Sequence, residues 1–249
     1  MSPSISNHLL LALPSEVLAL LTSDLEPVSL AQGLVLLEPE DPIEQVYFPE
    51  TGMISLLVVT REGAAIETSV VGCEGALGLQ RGLGARQSFT KATVQIAGRF
   101  LRISAHSFEQ ASSASAPLRE MISRYTELLW AEAQQTAACN AVHDASSRLC
   151  HWLLRSAKCV GGDQLALTHD FLGQMLGVRR TTVTLLAQEL QRKGAIKYRR
   201  GKIAILDRSI LESSACECYQ LVHSDKLPRK NSLHFEPAPA EGVRRTKQS

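Results

Sequence analysis

Hydrophobic positions change their spacing twice along the chain. From Asn7 to Leu21 they recur at helical spacing on either side of Pro14, which predicts two short helices. From about Val28 to Ile103 they fall in short runs separated by turn pairs such as Asp-Pro and Glu-Gly. This pattern predicts about six to eight antiparallel strands, as in a sandwich or barrel.

Helical spacing returns between about Ala105 and Ala157, where turn residues almost vanish. One face of this predicted long helix carries Leu118, Ile122, Tyr125, Leu129, Ala133, Thr136 and Asn140. Such a face either packs on its own sheet or pairs with a symmetry-related copy. Small side chains at Ala133, Ala137 and Ala141 would let two helices approach closely, so we expect this helix to dimerise.

A glycine turn at Gly177 separates two further short helices in "LTHDFLGQMLGVRRTTVTLLAQELQRKGAI". Thr168 suits the N-cap of the first helix, and the pair predicts a helix-turn-helix. The second helix would enter the major groove of DNA by its amino-terminal end. That end carries the candidate groove-contacting residues Arg179, Arg180, Thr181, Thr182 and Thr184. Arginine bonds a guanine edge bidentately, and threonine contacts a base, a methyl group or a phosphate.

A β-hairpin wing is predicted next, because "AIKYRRGKIAIL" reads as two short strands around a cationic turn. We expect Arg199, Arg200 and Lys202, together with Thr168, to contact phosphates.

Charge is divided unevenly, although the net charge is only +1. Positions 1–80 contain eleven acidic residues and one basic residue, whereas positions 178–202 contain eight basic residues and one acidic residue. An acidic N-terminal region and a basic patch near the C-terminus indicate that the two regions have separate functions.

Several classes of protein are disfavoured. No signal peptide is evident, and no apolar run reaches the roughly 20 residues that cross a bilayer. Six cysteines without a signal peptide indicate reduced thiols and a cytoplasmic protein with no membrane partner. "GLGARQ" lacks the lysine of a phosphate loop, and nucleophile-elbow and zinc-protease motifs are missing. We therefore predict no enzyme activity.

The order of β-rich region, long helix and winged helix-turn-helix resembles the Crp/Fnr family of bacterial transcription regulators. "VYFPETGMISLL" and "VVGCEGALGL" look like the glycine-bearing turns of that family's cyclic-nucleotide-binding-like domain. The resemblance implies an α+β fold. Its parts would be an N-terminal antiparallel, jelly-roll-like β-roll sensor (1–113), a dimerisation helix (114–145) and a C-terminal winged helix-turn-helix (146–225). The polar, proline-containing residues 226–249 are predicted to be a disordered tail.

The resemblance further implies a homodimer that reads a pseudo-palindromic DNA operator, with half-sites roughly 34 Å apart. The β-roll would relay an unknown signal, and RNA polymerase is a further candidate partner. Some family members carry an acidic residue and another arginine where Thr181 and Leu185 stand here, so a different base preference is expected. The alternative is a ligand- or redox-responsive protein-binding module without specific DNA binding.

The ligand-binding residues of the family are not reproduced. Members that bind cyclic AMP carry a glutamate where this chain has Ala76, and an Arg-Ser pair near Thr90 and Lys91. Arg86 and Ser88 lie close by at a different spacing. A cyclic nucleotide is therefore not expected, and no cofactor is predicted. The candidate effector-pocket residues are Glu74, Gly75, Ala76, Leu77, Arg86, Ser88, Thr90 and Lys91.

The cysteines of the chain are candidate metal ligands. Fnr-type members hold an iron–sulfur cluster with cysteines near the amino terminus, and this chain has none before Cys73. Cys139 and His143 are one helical turn apart, but such a pair is only half of a metal site. Cys150, His151, Cys216 and Cys218 are the other residues that could join it. Buried core thiols are favoured, so no metal site is predicted, and redox or metal sensing is the alternative.

Overall fold

The computed structural model describes residues 5–63 and 65–219. It has the expected α+β fold, with an antiparallel β-roll, a long helix and a winged helix-turn-helix in that order. The predicted disordered tail, 226–249, lies outside the described residues. Within them, no helix is both long enough and apolar enough to cross a membrane.

Two short helices, α1 (His8–Leu11) and α2 (Ser15–Thr22), precede the β-roll and are separated at Pro14 as predicted. The fully buried amide of Asn7 fixes them in place. Its Nδ2 donates to the carbonyl oxygens of Pro49 at 2.8 Å and of Gly75 at 2.9 Å, while its Oδ1 accepts from the N–H of Leu10.

Antiparallel strands form two sheets of the β-roll, in agreement with the expected number. The strands are β1 (Glu26–Leu30), β2 (Val35–Leu37), β3 (Gln45–Pro49), β4 (Met53–Val59), β5 (Ala65–Val71), β6 (Lys91–Ile96) and β7 (Gly98–Ser104). Their orders are β1-β7-β3 in one sheet and β2-β6-β4-β5 in the other. Side chains from both sheets, among them Ile54, Val94 and Phe100, pack into one cluster between them.

Three helices follow: α3 (Ala105–Ala114), α4 (Ala116–Val142) and α5 (Ala145–Val160). The face of α4 that was predicted to dimerise divides into two parts. Leu118, Ile122 and Tyr125 are buried in the core of their own β-roll. Leu129, Ala133 and Thr136 are partly exposed, and Asn140 is exposed. The first, bulky residues of this face therefore pack inside the same chain. The residues that reach the surface belong to the second part of the face, where most side chains are small.

The C-terminal part has the winged helix-turn-helix order. Its elements are β8 (Gln164–Ala166), α6 (His169–Leu176), α7 (Arg180–Arg192), β9 (Ile196–Arg199), β10 (Lys202–Ile205) and α8 (Arg208–Ser214). The three strands pair in the order β8-β10-β9.

The β-roll and the winged helix-turn-helix share a hydrophobic core. Met53 and Val70 of the β-roll belong to the same buried cluster as Trp152 and Leu153 of α5 and Leu172 of α6. Burial of apolar surface between the two parts stabilises their relative position.

A buried ion pair lies where these parts meet. Arg155 of α5 bonds the carboxylate of Glu132 on α4, and its Nη2 donates to the carbonyl oxygen of Val70 in β5 at 3.2 Å. Glu132 in turn accepts from the N–H of Val70 at 3.2 Å. Burial, the largest single effect, disfavours the charged guanidinium, but the charge and hydrogen bond of Glu132, together with the charges of Glu74 and Cys159, outweigh it and raise the pKa of Arg155.

A second polar contact between the two parts centres on Glu67 of β5, which is 7% exposed. Its carboxylate accepts from the Ser55 hydroxyl at 2.6 Å, from Gln95 Nε2 at 3.2 Å and from the Trp152 indole N–H at 3.3 Å. Burial raises the pKa of Glu67 to about 7, against the lowering effect of Ser55, Arg155 and Trp152. Glu67 therefore changes its charge near neutral pH at the contact between the β-roll and α5.

The stability of the folded chain should depend on Glu67 between pH 4.5 and 7. The pKa of Glu67 is higher in the folded chain than the usual 4.5, so the folded chain binds this proton more tightly and loses stability as the pH rises through that window. Replacing Glu67 with Gln removes the titration. The free energy of unfolding of Glu67→Gln, relative to wild type, should therefore increase by about 3 kcal/mol between pH 5 and pH 8.

Denaturant unfolding at several pH values checks this expectation. The exposed glutamate Glu62 provides the control, because Glu62→Gln should leave the pH dependence of wild type unchanged. Parallel curves for Glu67→Gln and wild type would contradict the assignment.

Candidate nucleic-acid interface

The helix-turn-helix forms at the residues that were predicted from the sequence. The hydroxyl of Thr168 caps α6 by accepting from the N–H of Phe171 at 3.3 Å. Gly177 ends α6 with φ of 63°, a left-handed conformation that a side chain would disfavour. Arg179 is the N-cap residue of α7, without a side-chain capping bond, so its guanidinium is not used to hold the helix end.

Opposite faces of α7 differ in character. Val183, Ala187 and Leu190 are buried against the rest of the domain. Thr181, Leu185 and Gln188 are exposed on the other face, and Thr182 is partly exposed. Sequence reasoning did not select Leu185 or Gln188 as contact residues. Their spacing of four and seven residues from Thr181 is the signal that places them on its face.

The two arginines at the start of α7 point to solvent. Arg179 is exposed, and the side chain of Arg180 is 68% exposed with an ion pair to Asp170 at 3.4 Å. An exposed pair of this kind contributes about 0–1 kcal/mol, so Arg180 can exchange it for a stronger acceptor.

Thr184 has an internal role. Its hydroxyl lies 2.9 Å from Nδ1 of His169 and donates to the carbonyl oxygen of Arg180 at 3.1 Å. The ring of His169 stacks on Tyr198 of β9, with 4.0 Å between the centroids. Burial and the charge of Arg180 lower the pKa of His169, which favours the neutral ring in this stack. These contacts fix α6, α7 and the wing relative to one another.

The wing turn carries a backbone conformation that is unusual for arginine. Arg200 has φ of 48° and Gly201 has φ of 74°, the pair of positive values that defines a type I′ hairpin turn. Asn-Gly is the preferred sequence for that turn, so Arg200 holds a charged side chain at some conformational cost. Arg199, Arg200 and Lys202 are exposed around it. A side chain at Gly201 would meet the methyl group of Thr168 at 3.5 Å, which places the N-terminus of α6 beside the wing tip.

The candidate effector residues do not converge on one cavity. Ala76 and Leu77 are buried, and a Cβ at Gly75 would lie 1.8 Å from the hydroxyl oxygen of Tyr125, so α4 covers this segment. Glu74 accepts instead from the N–H of Gly72 at 3.2 Å.

The other candidate effector residues make local contacts on the β-roll. Arg86 pairs with Glu109, and Lys91 with Glu38 at 2.6 Å. Ser88 donates to the carbonyl oxygen of Thr90 at 2.7 Å.

The cysteines have free thiols in the described chain. Cys150 is buried in the core shared by the two parts, as expected for a small core residue. Cys139, Cys216 and Cys218, in contrast, form a buried cluster of their own, although they are far apart in the sequence.

Comparisons with known proteins agree with this geometry. Residues 147–214 match the family model of the Crp-like helix-turn-helix domain. FixK2 from Bradyrhizobium japonicum is 17% identical, with a TM-score of 0.65 over 77% of this chain and 98% of FixK2. TTHA1359, a CRP/FNR-family transcriptional regulator from Thermus thermophilus, is 26% identical, with a TM-score of 0.60 over 76% of this chain and 98% of its own. The c-di-GMP-responsive regulator CLP from Xanthomonas campestris is 14% identical, with a TM-score of 0.62 over 78% of this chain and 100% of CLP. No curated protein sequence matches the chain.

The winged helix-turn-helix with its exposed second helix lies in the region that matches the Crp-like helix-turn-helix model. Residues 147–214 are therefore a Crp-like helix-turn-helix domain, and 77% of the chain has a fold similar to that of FixK2.

The strained wing turn gives a prediction about stability. Asparagine adopts the left-handed conformation of position 200 more readily than arginine does, so Arg200→Asn should raise the free energy of unfolding by about 1 kcal/mol. Arg199 lies in strand β9 without positive φ, so Arg199→Asn is the matched control and should bring no gain. Denaturant titration measures both. An unchanged or lower stability of Arg200→Asn would show that the turn stores no such strain.

Proposed function

We propose that the protein is a homodimeric, sequence-specific regulator that inserts the amino-terminal end of α7 into the major groove of an operator. The observation that carries this proposal is the exposure of Arg179, Arg180 and Thr181 at that helix end, beside a cationic wing. The Crp-like helix-turn-helix match supports the same function.

The exposed face of α7 suits direct recognition of bases. Arg180 can bond the O6 and N7 atoms of a guanine, and Gln188 can bond the N6 and N7 atoms of an adenine. Leu185 is 66% exposed and offers an apolar surface to a thymine methyl group. In this proposal Thr184 positions the helix through His169, whereas Thr181 contacts the groove.

Phosphate contacts would surround this face. The exposed cations Arg199, Arg200 and Lys202 attract the backbone without reading sequence. The N-terminus of α6 lies beside them, and its unpaired N–H groups favour an anion. Thr168 would then hold the helix end that faces the phosphate.

Dimerisation would use the second half of α4. Its exposed side chains include Trp130, which is 68% exposed, and Val142, which is 73% exposed, with Ala137 and Ala141 between them. Small residues permit close approach of two helices, and the two large apolar side chains would lose water contact on pairing. A signal received by the β-roll would reach α7 through β5 and the contact of Glu67 with Trp152.

Changing Arg180 to Ala tests direct recognition. We expect binding to a selected operator to weaken by about 1–3 kcal/mol, with relaxed preference at one base pair. Lys202→Ala is the comparison, because it should weaken operator and random DNA alike and reduce the slope of log affinity against log salt by about 1. Fluorescence anisotropy at several salt concentrations measures both. Equal losses on operator and random DNA for Arg180→Ala would contradict its role, and absence of any DNA binding by wild type would favour the protein-binding module.

Changing Trp130 to Glu tests the dimer. A charge within the paired surface should convert the dimer into a monomer at micromolar concentration, as measured by analytical ultracentrifugation. Leu20 on α2 is also an exposed large apolar residue, so Leu20→Glu is the matched control and should remain dimeric. A dimeric Trp130→Glu variant, or a monomeric wild type, would contradict pairing through this face.

A further inference from the structure

Four side chains that bind thiophilic metals meet at the end of α4. Cys139 lies on α4 and His143 is the C-cap residue of that helix, whereas Cys216 and Cys218 come from the segment after α8. One ligand atom from each lies within 4.8 Å of all the others. The three cysteines are buried and His143 is partly buried, so the cluster is shielded from solvent.

The distances are those of ligands around one ion. The sulfurs of Cys139 and Cys216 are 3.6 Å apart, and the Cys218 sulfur is 3.6 Å from Nδ1 of His143. With zinc–sulfur bonds of about 2.3 Å and zinc–nitrogen bonds of about 2.0–2.1 Å, a tetrahedron places sulfurs about 3.8 Å apart and sulfur and nitrogen about 3.5 Å apart. A cluster of several irons would hold its cysteine ligands farther apart, so the spacing favours a single ion.

Groups around the four ligands also suit a metal site. The other ring nitrogen of His143, Nε2, lies 3.7 Å from the exposed carboxylate of Glu217, which is ion-pair distance but longer than the hydrogen bond that commonly orients a zinc-binding histidine. Gln135 Nε2 donates to the sulfur of Cys218 at 3.0 Å. An N–H donor of this kind stabilises the negative charge of a metal-bound thiolate.

We propose that Cys139, His143, Cys216 and Cys218 form a tetrahedral site for one divalent thiophilic cation, Zn²⁺. All four positions are filled by protein ligands, so the site is structural and leaves no open position for catalysis. The ligand pairs enclose residues 144–215, which contain the whole winged helix-turn-helix. The ion thereby fastens both ends of that domain to the end of α4, and its removal releases the C-terminal end.

Metal analysis of the full chain tests the site directly. The chain is stripped with chelator under reducing conditions, reloaded with Zn²⁺ and desalted before zinc is measured. We expect about one zinc per chain, since the four ligands complete one site. Cys216→Ser, Cys218→Ser and His143→Ala should each lower the zinc affinity by roughly tenfold or more, because each removes one of the four ligands. Cys73 lies outside the cluster, so Cys73→Ser should keep the wild-type content.

Two further measurements keep the test independent of folding defects in the variants. His143→Cys supplies a fourth thiolate and should restore the binding that His143→Ala loses, because four cysteines also hold zinc. Wild type loaded with Co²⁺ should show the visible bands of a tetrahedral ion and strong thiolate-to-cobalt absorption. Chelator should lower the melting temperature of wild type and leave that of Cys218→Ser unchanged.

Three results would overturn the proposal. The first is wild-type protein that retains no zinc after reloading, and the second is Cys218→Ser with the zinc content of wild type. The third is a disulfide between Cys139 and Cys216 that persists after preparation under reducing conditions and reloading with Zn²⁺. None of these readouts involves DNA, so the metal site and the DNA-binding function can fail separately.

Discussion

The buried ion pair between Arg155 and Glu132 is the interaction on which the arrangement of the protein depends. Both side chains are nearly inaccessible, with exposed fractions of 12% and 13%. Together they bond the backbone of Val70, so α4, α5 and β5 are joined at one point. Loss of either partner would leave an uncompensated buried charge, at a cost of about 3–5 kcal/mol. The winged helix-turn-helix is thereby held on the β-roll with the start of α7 directed to solvent.

In the proposed function, the same junction is where a signal would act. Glu67 contacts Trp152, which lies one turn before Arg155 on α5, and Cys139 of the cysteine cluster lies two turns after Glu132 on α4. A change in strand β5 or in the end of α4 would alter the same set of contacts. Packed interfaces change between discrete arrangements more readily than they deform gradually, so in this proposal a small displacement here would reorient the whole winged helix-turn-helix.

Local patterns in the sequence were sufficient for the helix-turn-helix, because Thr168, Gly177 and the spacing of Val183 and Leu190 act within a few residues of one another. The wing and the approximate number of strands followed from similar short-range signals. The split face of α4 was not predictable, since the spacing of Leu118 and Ala133 is equally helical whether the partner is the β-roll or a second copy.

Long-range contacts explain the features that could not be predicted from the sequence. Glu67 and Trp152 are 85 positions apart, and Cys139 and Cys216 are 77 positions apart. Only the tertiary fold brings such pairs together. Nothing in the sequence marked Glu67, and the sequence offered Cys139, Cys216 and Cys218 as possible metal ligands only as the alternative to buried core thiols. The exposure of Leu185 was visible in the helical spacing, but an apolar side chain is ordinarily assigned to the core.

Selection of bound fragments from a random DNA pool tests the central claim most directly. Reading by two copies of α7 predicts enrichment of a two-fold symmetric motif whose half-site centres are about 10 base pairs apart, or a multiple of that distance. Enrichment of an asymmetric motif, or of no motif, would contradict the claim that paired recognition helices read the operator.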